Sequence, residues 1–290
     1  SFFKTFYQSK LLPRSVFLLV NIQSFFSLLL PLFFFANGIL SSKILLFCVG
    51  LSSLISIYIV LLLKKELSLF NSFNYKIKKN QIKKWLKFGV PVSIWSCMGL
   101  LLPYLDRFYI NKFLNPELLG AYSSINELTL RTFSFIIFPF TMALHPRIVK
   151  LWNINKKIES FLVVVKSVKA VIAFLLICLV ILFFFDNEIF IVIKYIIPSL
   201  PEEAKKIITP LISAGIIWQL SFFTHKMIEL NEKTYLMIFF ITISILINIV
   251  GNNIYILKYG IVATSYLSLL SALSYCLLTI IYFFYSKKFL

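Results

Sequence analysis

Apolar residues gather along this chain into runs long enough to cross a lipid bilayer, and polar residues fall mainly between them. Eight such runs can be drawn, over 15–35, 43–63, 88–105, 118–143, 158–185, 207–224, 235–256 and 260–285. A helix needs about 20 mostly apolar residues to span the hydrocarbon layer. The pattern therefore predicts an all-α integral membrane protein with about eight transmembrane helices. The runs 88–105 and 118–143 are less apolar than the rest, and the former contains Pro91 and Pro103. Proline removes a helical hydrogen bond and bends the helix. In membranes such breaks are tolerated where protein or a water-filled cavity satisfies the backbone.

Composition agrees with the pattern. Sixty per cent of residues are hydrophobic and 14% are charged, with a mean hydropathy of +0.91. A soluble domain keeps roughly a quarter of its residues charged, so this chain has no surface to offer water. The net charge of +18 does not point to nucleic acid, because the lysines lie between apolar runs, where the positive-inside rule accounts for them. With the N-terminus in the cytoplasm, inside segments hold about 19 Lys and Arg and outside segments about seven, so both ends are expected on the cytoplasmic side. The one long polar stretch is KKELSLFNSFNYKIKKNQIKKWLKF, 64–88. Its basic residues suit an interfacial helix on an anionic inner leaflet, with Trp85 toward lipid. It divides the chain into 1–63 with two spans, a basic cytoplasmic linker 64–87, and 88–290 with six spans. The chain opens on Ser1 without a signal-peptide pattern, which reads as a fragment of a longer protein.

Charge at membrane depth is costly unless paired or hydrated, so three groups need an explanation. Glu127 and Arg131, four apart, share a helix face. They are either a private salt bridge that lets the helix insert or a cavity wall where Arg131 receives an anion. Lys166 and Lys169 either snorkel to headgroups or line the inner half of a cavity. Asp106 and Arg107 sit at the outer end of the third run and, as neighbours, point different ways. One would lock an outer gate while the other faces the cavity, or both lie on the surface. Asn248, Asn252 and Asn253 fall in the seventh run; the first two share a face and suit helix packing. Cys48, Cys97, Cys178 and Cys276 lie in apolar runs without a CxxC pair and read as small buried hydrophobes. His145 and His225 stand alone in the sequence, which speaks against a metal centre. There is no phosphate-cradling Gly-rich loop, no pair of catalytic carboxylates and no Ser/His/Asp set. The sequence thus predicts no enzyme, no catalytic residue and no cofactor.

Several segments resemble a known family. The run LKFGVPVSIWSCMGLLLPYLDRFYINKFLNPELLGAYSSINELTLRTFSFIIFPFTMALHPRIVKL, 86–151, is similar to the start of the second lobe of polysaccharide flippases. These belong to the multidrug/oligosaccharidyl-lipid/polysaccharide exporter superfamily and include the O-antigen (Wzx-type) transporters. The landmarks are Phe88-Gly89-Val90-Pro91, Asp106-Arg107-Phe108, Leu119-Gly120-Ala121-Tyr122-Ser123 and Pro146-Arg147. PSLPEEAKKIITPLISAGIIWQL, 198–220, resembles the opening of that lobe's fourth helix. ILINIVGNNIYILKYGIVATSYLSLLSALSY, 245–275, resembles its last helix pair, with Ala263-Thr264 in place of the family's Gly-Ala. SFFKTFYQSKLLPRSVF, 1–17, is similar to the link into the fifth helix of a first lobe. The resemblance implies a six-helix C-terminal lobe preceded by the last two helices of an N-terminal lobe whose first four are missing.

It also implies a transporter that moves polyprenyl-pyrophosphate-linked oligosaccharide from the inner to the outer leaflet of a bacterial plasma membrane, by alternating access around a cationic cavity. The implied partners are that substrate, membrane lipids, and a polysaccharide polymerase or other glycan-assembly proteins. The head-group contacts expected from span position and helix phase are Arg131, Lys169 and Arg107, with Glu127 positioning Arg131. Lys166, Asp106 and Asn248 are secondary candidates. One rival is a multidrug or cation antiporter, which needs an acidic site; Glu127 reads as the only mid-span carboxylate. Others are a membrane glycan polymerase or acyltransferase, for which the outside loop 186–206 is short and lacks histidine, and a scaffold role without transport.

Overall fold

The computed structural model describes residues 2–9, 12–39, 41–63 and 79–286. Among them every regular element is helical, as an all-α membrane protein requires. The chain forms two compact units, Ser1–Lys78 and Lys79–Leu290.

The first unit holds α1 (Phe2–Ser9), α2 (Pro13–Ala36) and α3 (Ser42–Leu63). Both long helices are apolar nearly all round, and Gln23 Nε2 of α2 donates to Ser53 Oγ of α3 at 2.9 Å. Tyr7, Leu19 and Val60 form the small buried cluster that ties α1 to the pair. Most of the expected interfacial segment, 64–78, lies outside the described residues. Its last residues, from Lys79, belong instead to a transmembrane helix.

The second unit contains α4 (Lys79–Phe113), α5 (Pro116–Asn153), α6 (Lys157–Phe184), α7 (Asp186–Ile196), α8 (Lys205–Thr224), α9 (Lys226–Leu230) and α10 (Tyr235–Ser286). Helix α4 runs through both Pro91 and Pro103 and continues past the predicted end of its span to Phe113. The turn into α5 is set locally: Asn115 accepts the Leu118 amide at 2.8 Å, with Pro116 just behind it. This is the side-chain cap and N-terminal proline that start a helix. Where α5 ends, Asn155 adopts a left-handed φ of 60°, and the Asn155 and Lys156 amides bond back to Trp152 and Leu151. That closes the helix in a Schellman turn, a place asparagine tolerates. The predicted loop 186–206 is more ordered than expected. Helix α7 and a short 3-10 turn, Glu202–Ala204, bury Phe190, Ile193 and Ala204 in one end of the core.

Seven helices among the described residues are long and apolar enough to cross a membrane. The last of them, α10, is two. Gly260 holds φ 60° and ψ −144° inside it, a backbone region that side chains exclude. The residues on either side pair in antiparallel order: Ser244 with Ser274, Gly251 with Leu267, and Asn252 with Thr264. At Gly251 any Cβ would fall 2.1 Å from a Leu267 methyl, so the lack of a side chain lets the arms close. The arms 235–259 and 261–286 each suffice to span, which gives the eight crossings read from the sequence. Helix α8 is the most enclosed, and the others show apolar side chains outward, among them Phe135 at 84% and Phe183 at 82% exposure. Such faces belong in lipid; a soluble protein does not show contiguous apolar surface on this scale.

Candidate functional site

Three polar clusters interrupt the apolar bundle of the second unit. The first centres on Asp106, which is 2% exposed. Its Oδ1 accepts from Asn248 Nδ2 at 2.8 Å and from Asn252 Nδ2 at 3.5 Å. Its Oδ2 accepts from the Tyr122 hydroxyl at 2.7 Å and, very closely, from Ser268 Oγ. Thr264 Oγ1 donates to Asn252 Oδ1 at 2.8 Å, extending the network across both arms of α10. Four donors from three helices thus meet one carboxylate. Of the alternatives open for Asp106, a surface position is excluded by its burial, and it lies toward the bundle interior. Helix α4 continues beyond residue 105, and its turn at Asp106 faces the bundle interior.

The second cluster begins one residue later. Arg107 Nη2 donates to Glu127 Oε1 at 2.8 Å, and Arg131 Nε donates to Glu127 Oε2 at 3.1 Å. Glu127 is therefore shared between two helices, not the private partner of Arg131. The side chains are 24%, 46% and 81% exposed for Arg107, Glu127 and Arg131. Arg107 Nε is buried and has no hydrogen-bond partner. Two cations on one carboxylate leave the group with one positive charge to spare.

The third cluster adds residues absent from the sequence expectations. His225, isolated in the sequence, is 1% exposed and lies 3.2 Å from Glu229 Oε1; Lys226 Nζ bonds Glu229 Oε2 at 2.6 Å. Tyr275 and the Trp95 ring enclose the histidine, with centroids 4.9 Å apart for Trp95. The spacing within His225-Lys226-Met227-Ile228-Glu229 carries the signal, since i, i+3 and i, i+4 residues meet on a helix face. The cluster clamps the junction of α8 and α9.

Lys166 and Lys169 are exposed on α6, and among the described residues neither makes a hydrogen bond or ion pair. Asn248 and Asn252 do hold helices together, but through Asp106. Asn253 is exposed and donates to the Tyr109 hydroxyl at 2.8 Å. Cys48 and Cys276 are buried, whereas Cys97 is exposed on α4, against expectation. Beside Asp106 a cavity of ≈ 170 Å³ opens between α4, α5, α8 and the second arm of α10. No group of metal-ligating side chains occurs among the described residues.

A family model described as polysaccharide biosynthesis protein matches residues 1–152, just over half of the chain. No curated protein and no solved structure matches it.

Proposed function

Because the chain belongs to the polysaccharide biosynthesis protein family, we propose that it is a transporter. It carries polyprenyl-diphosphate-linked oligosaccharide from the inner to the outer leaflet of a bacterial plasma membrane, by alternating access around a cationic face, with both ends of the chain in the cytoplasm. The observation that carries this reading is the Arg107–Glu127–Arg131 cluster. A surplus positive charge at membrane depth costs about 2.5–3.5 kcal/mol, and a diphosphate docking on Arg131, with Arg107 beside it, offsets that cost. Glu127 holds both guanidinium groups in place. Lys169, and Lys166 beside it, extend the attraction from α6. With the cytoplasm negative, outward movement of an anion gains about 2.3 kcal/mol per charge per 100 mV, which gives the transport a direction. No step in this scheme makes or breaks a covalent bond, so the chain acts with glycan-assembly enzymes, not as one.

The test is translocation of a fluorescent prenyl-diphosphate saccharide in vesicles containing the purified protein. Arg131→Ala, alone and with Arg107→Ala, is expected to abolish translocation while the variants insert and fold normally. Undiminished translocation in the double variant sinks the reading.

A second reading rests on Asp106. A buried carboxylate with no cationic partner among the described residues would serve a cation antiporter if its hydroxyl and amide donors turned away from it. Glu127 is thus not the only carboxylate in the bundle. Cation-driven efflux of a cationic dye, lost in Asp106→Asn while lipid-linked saccharide is not moved, would favour the antiporter.

A further inference from the structure

The cavity beside Asp106 contains polar groups that the protein itself does not satisfy. Asn126 is 8% exposed and Ser271 is 1% exposed; both line the cavity, and neither Asn126 Nδ2 nor Ser271 Oγ has a hydrogen-bond partner. Buried polar atoms are nearly always paired, and an unpaired one carries a substantial desolvation cost. Asp106, in contrast, already accepts from four donors, so its lone pairs are used. Apart from Ser268, whose hydroxyl is given to Asp106, the rest of the lining is mainly apolar, with Leu100, Pro103 and the ring of Trp218.

That lining selects its occupant. A cation finds the carboxylate already occupied by donors. An anion is repelled by the same carboxylate. A hydrocarbon leaves the amide and the hydroxyl unmet. A pyranose ring fits all three parts, since its edge carries hydroxyl oxygens and its face carries C–H groups that lie well against an aromatic ring.

Position points the same way. Arg107 follows Asp106, Glu127 follows Asn126 and Arg131 follows Leu130, and in each pair the first residue lines the cavity. The cationic cluster therefore lies on the same turns of α4 and α5 as the cavity lining. We propose that this cavity is a saccharide subsite, taking the sugar ring joined directly to the diphosphate, with Asn126 and Ser271 hydrogen-bonded to its edge and Trp218 against its face. This rests on the reading of Arg107 and Arg131 as the diphosphate site.

Binding to the purified protein separates the two ideas. The probes are a short-chain prenyl diphosphate without sugar and the same lipid bearing one hexose or one N-acetylhexosamine. At least one sugar is expected to tighten binding about tenfold, the size of one or two added hydrogen bonds. Ser271→Ala, which removes a hydroxyl that bonds nothing in the protein and so spares the fold, is expected to lose part of that gain. Asn126→Leu with Ser271→Ala is expected to lose all of it, while binding the sugar-free lipid as the parent does. If neither sugar tightens binding, or the double variant keeps the full gain, the subsite is overturned and the diphosphate site stands. If the parent binds none of the probes, or Arg131→Ala leaves binding of the sugar-free lipid unchanged, the diphosphate reading fails and takes the subsite with it.

Discussion

Asp106 and Arg107 are consecutive residues of one helix with opposite fates. Asp106 turns into the bundle and is met by Asn248, Asn252, Tyr122 and Ser268. Arg107 turns outward, shares Glu127 with Arg131 and keeps a buried Nε without a partner. The inner cluster is saturated and joins α4, α5 and both arms of α10. The outer one is under-neutralised, and Arg131 is 81% exposed. A network whose donors and acceptors all match rigidifies a fold. A group with charge left over is poised for something outside the fold. Polar character at membrane depth therefore has two meanings here, and the balance of donors, acceptors and charge separates them.

The sharpest way to break the comparison is Asp106→Ala. It leaves the amides of Asn248 and Asn252 and two hydroxyls without their common acceptor, at about 1–3 kcal/mol for each buried group that finds no substitute. Large destabilisation is expected, read as a thermal midpoint in detergent lowered by many degrees and as poor yield. Arg131→Ala leaves the midpoint almost where it was, because the side chain is mostly exposed. An Asp106→Ala variant as stable as the parent would mean that the inner cluster is not structural.

Glu127→Gln has a smaller and opposite effect. It removes the negative charge that the two arginines share while keeping the shape and one acceptor. Both guanidinium groups then face the outside with their charge less compensated. Binding of a sugar-free prenyl diphosphate is expected to tighten several-fold and to become more sensitive to salt, as exposed charges are. Exposed ion pairs are worth about 0–1 kcal/mol, so stability should fall only slightly. Weaker binding in this variant would show that Glu127 matters more for holding Arg131 in place than for cancelling its charge.

Much of this was legible in the sequence, for reasons that also mark the limit. Apolar runs were readable because lipid, like a protein core, tolerates little else. The helical pairs Glu127/Arg131 and Asn248/Asn252 were readable because four-residue spacing is local. Arg107 joining Glu127 was not, since it depends on how α4 packs on α5. Asp106 falls just past a span drawn to residue 105, so the sequence leaves gate, cavity and surface open for it. The helix runs on through Pro103 to Phe113, and that added length puts the carboxylate inside the bundle. Thr264 and Ser268 carry no signal of their own, because Ser and Thr hydroxyls in membrane helices commonly bond their own backbone, as Ser265 does to Val262. Asn126 and Ser271 show only once the cavity exists.

The contrast between neighbours recurs on α10 and gives its finest test. Asn252 is fully buried and bonds Asp106, whereas Asn253, next in the chain, is exposed and donates to the Tyr109 hydroxyl at 2.8 Å. Both bonds link α10 to α4, and they differ in whether other partners can replace them. Tyr109→Phe removes the acceptor from Asn253, but that amide also donates to the Ile249 carbonyl at 2.9 Å and lies at the surface. Losing one bond of this kind is expected to cost at most about 1 kcal/mol, with translocation unchanged. Asn252→Leu, of similar volume, strands Thr264 and takes a donor from Asp106, so its loss should be clearly larger. Equal losses in the two variants would mean that burial does not set the value of these bonds, and the division between inner and outer clusters would fall with it.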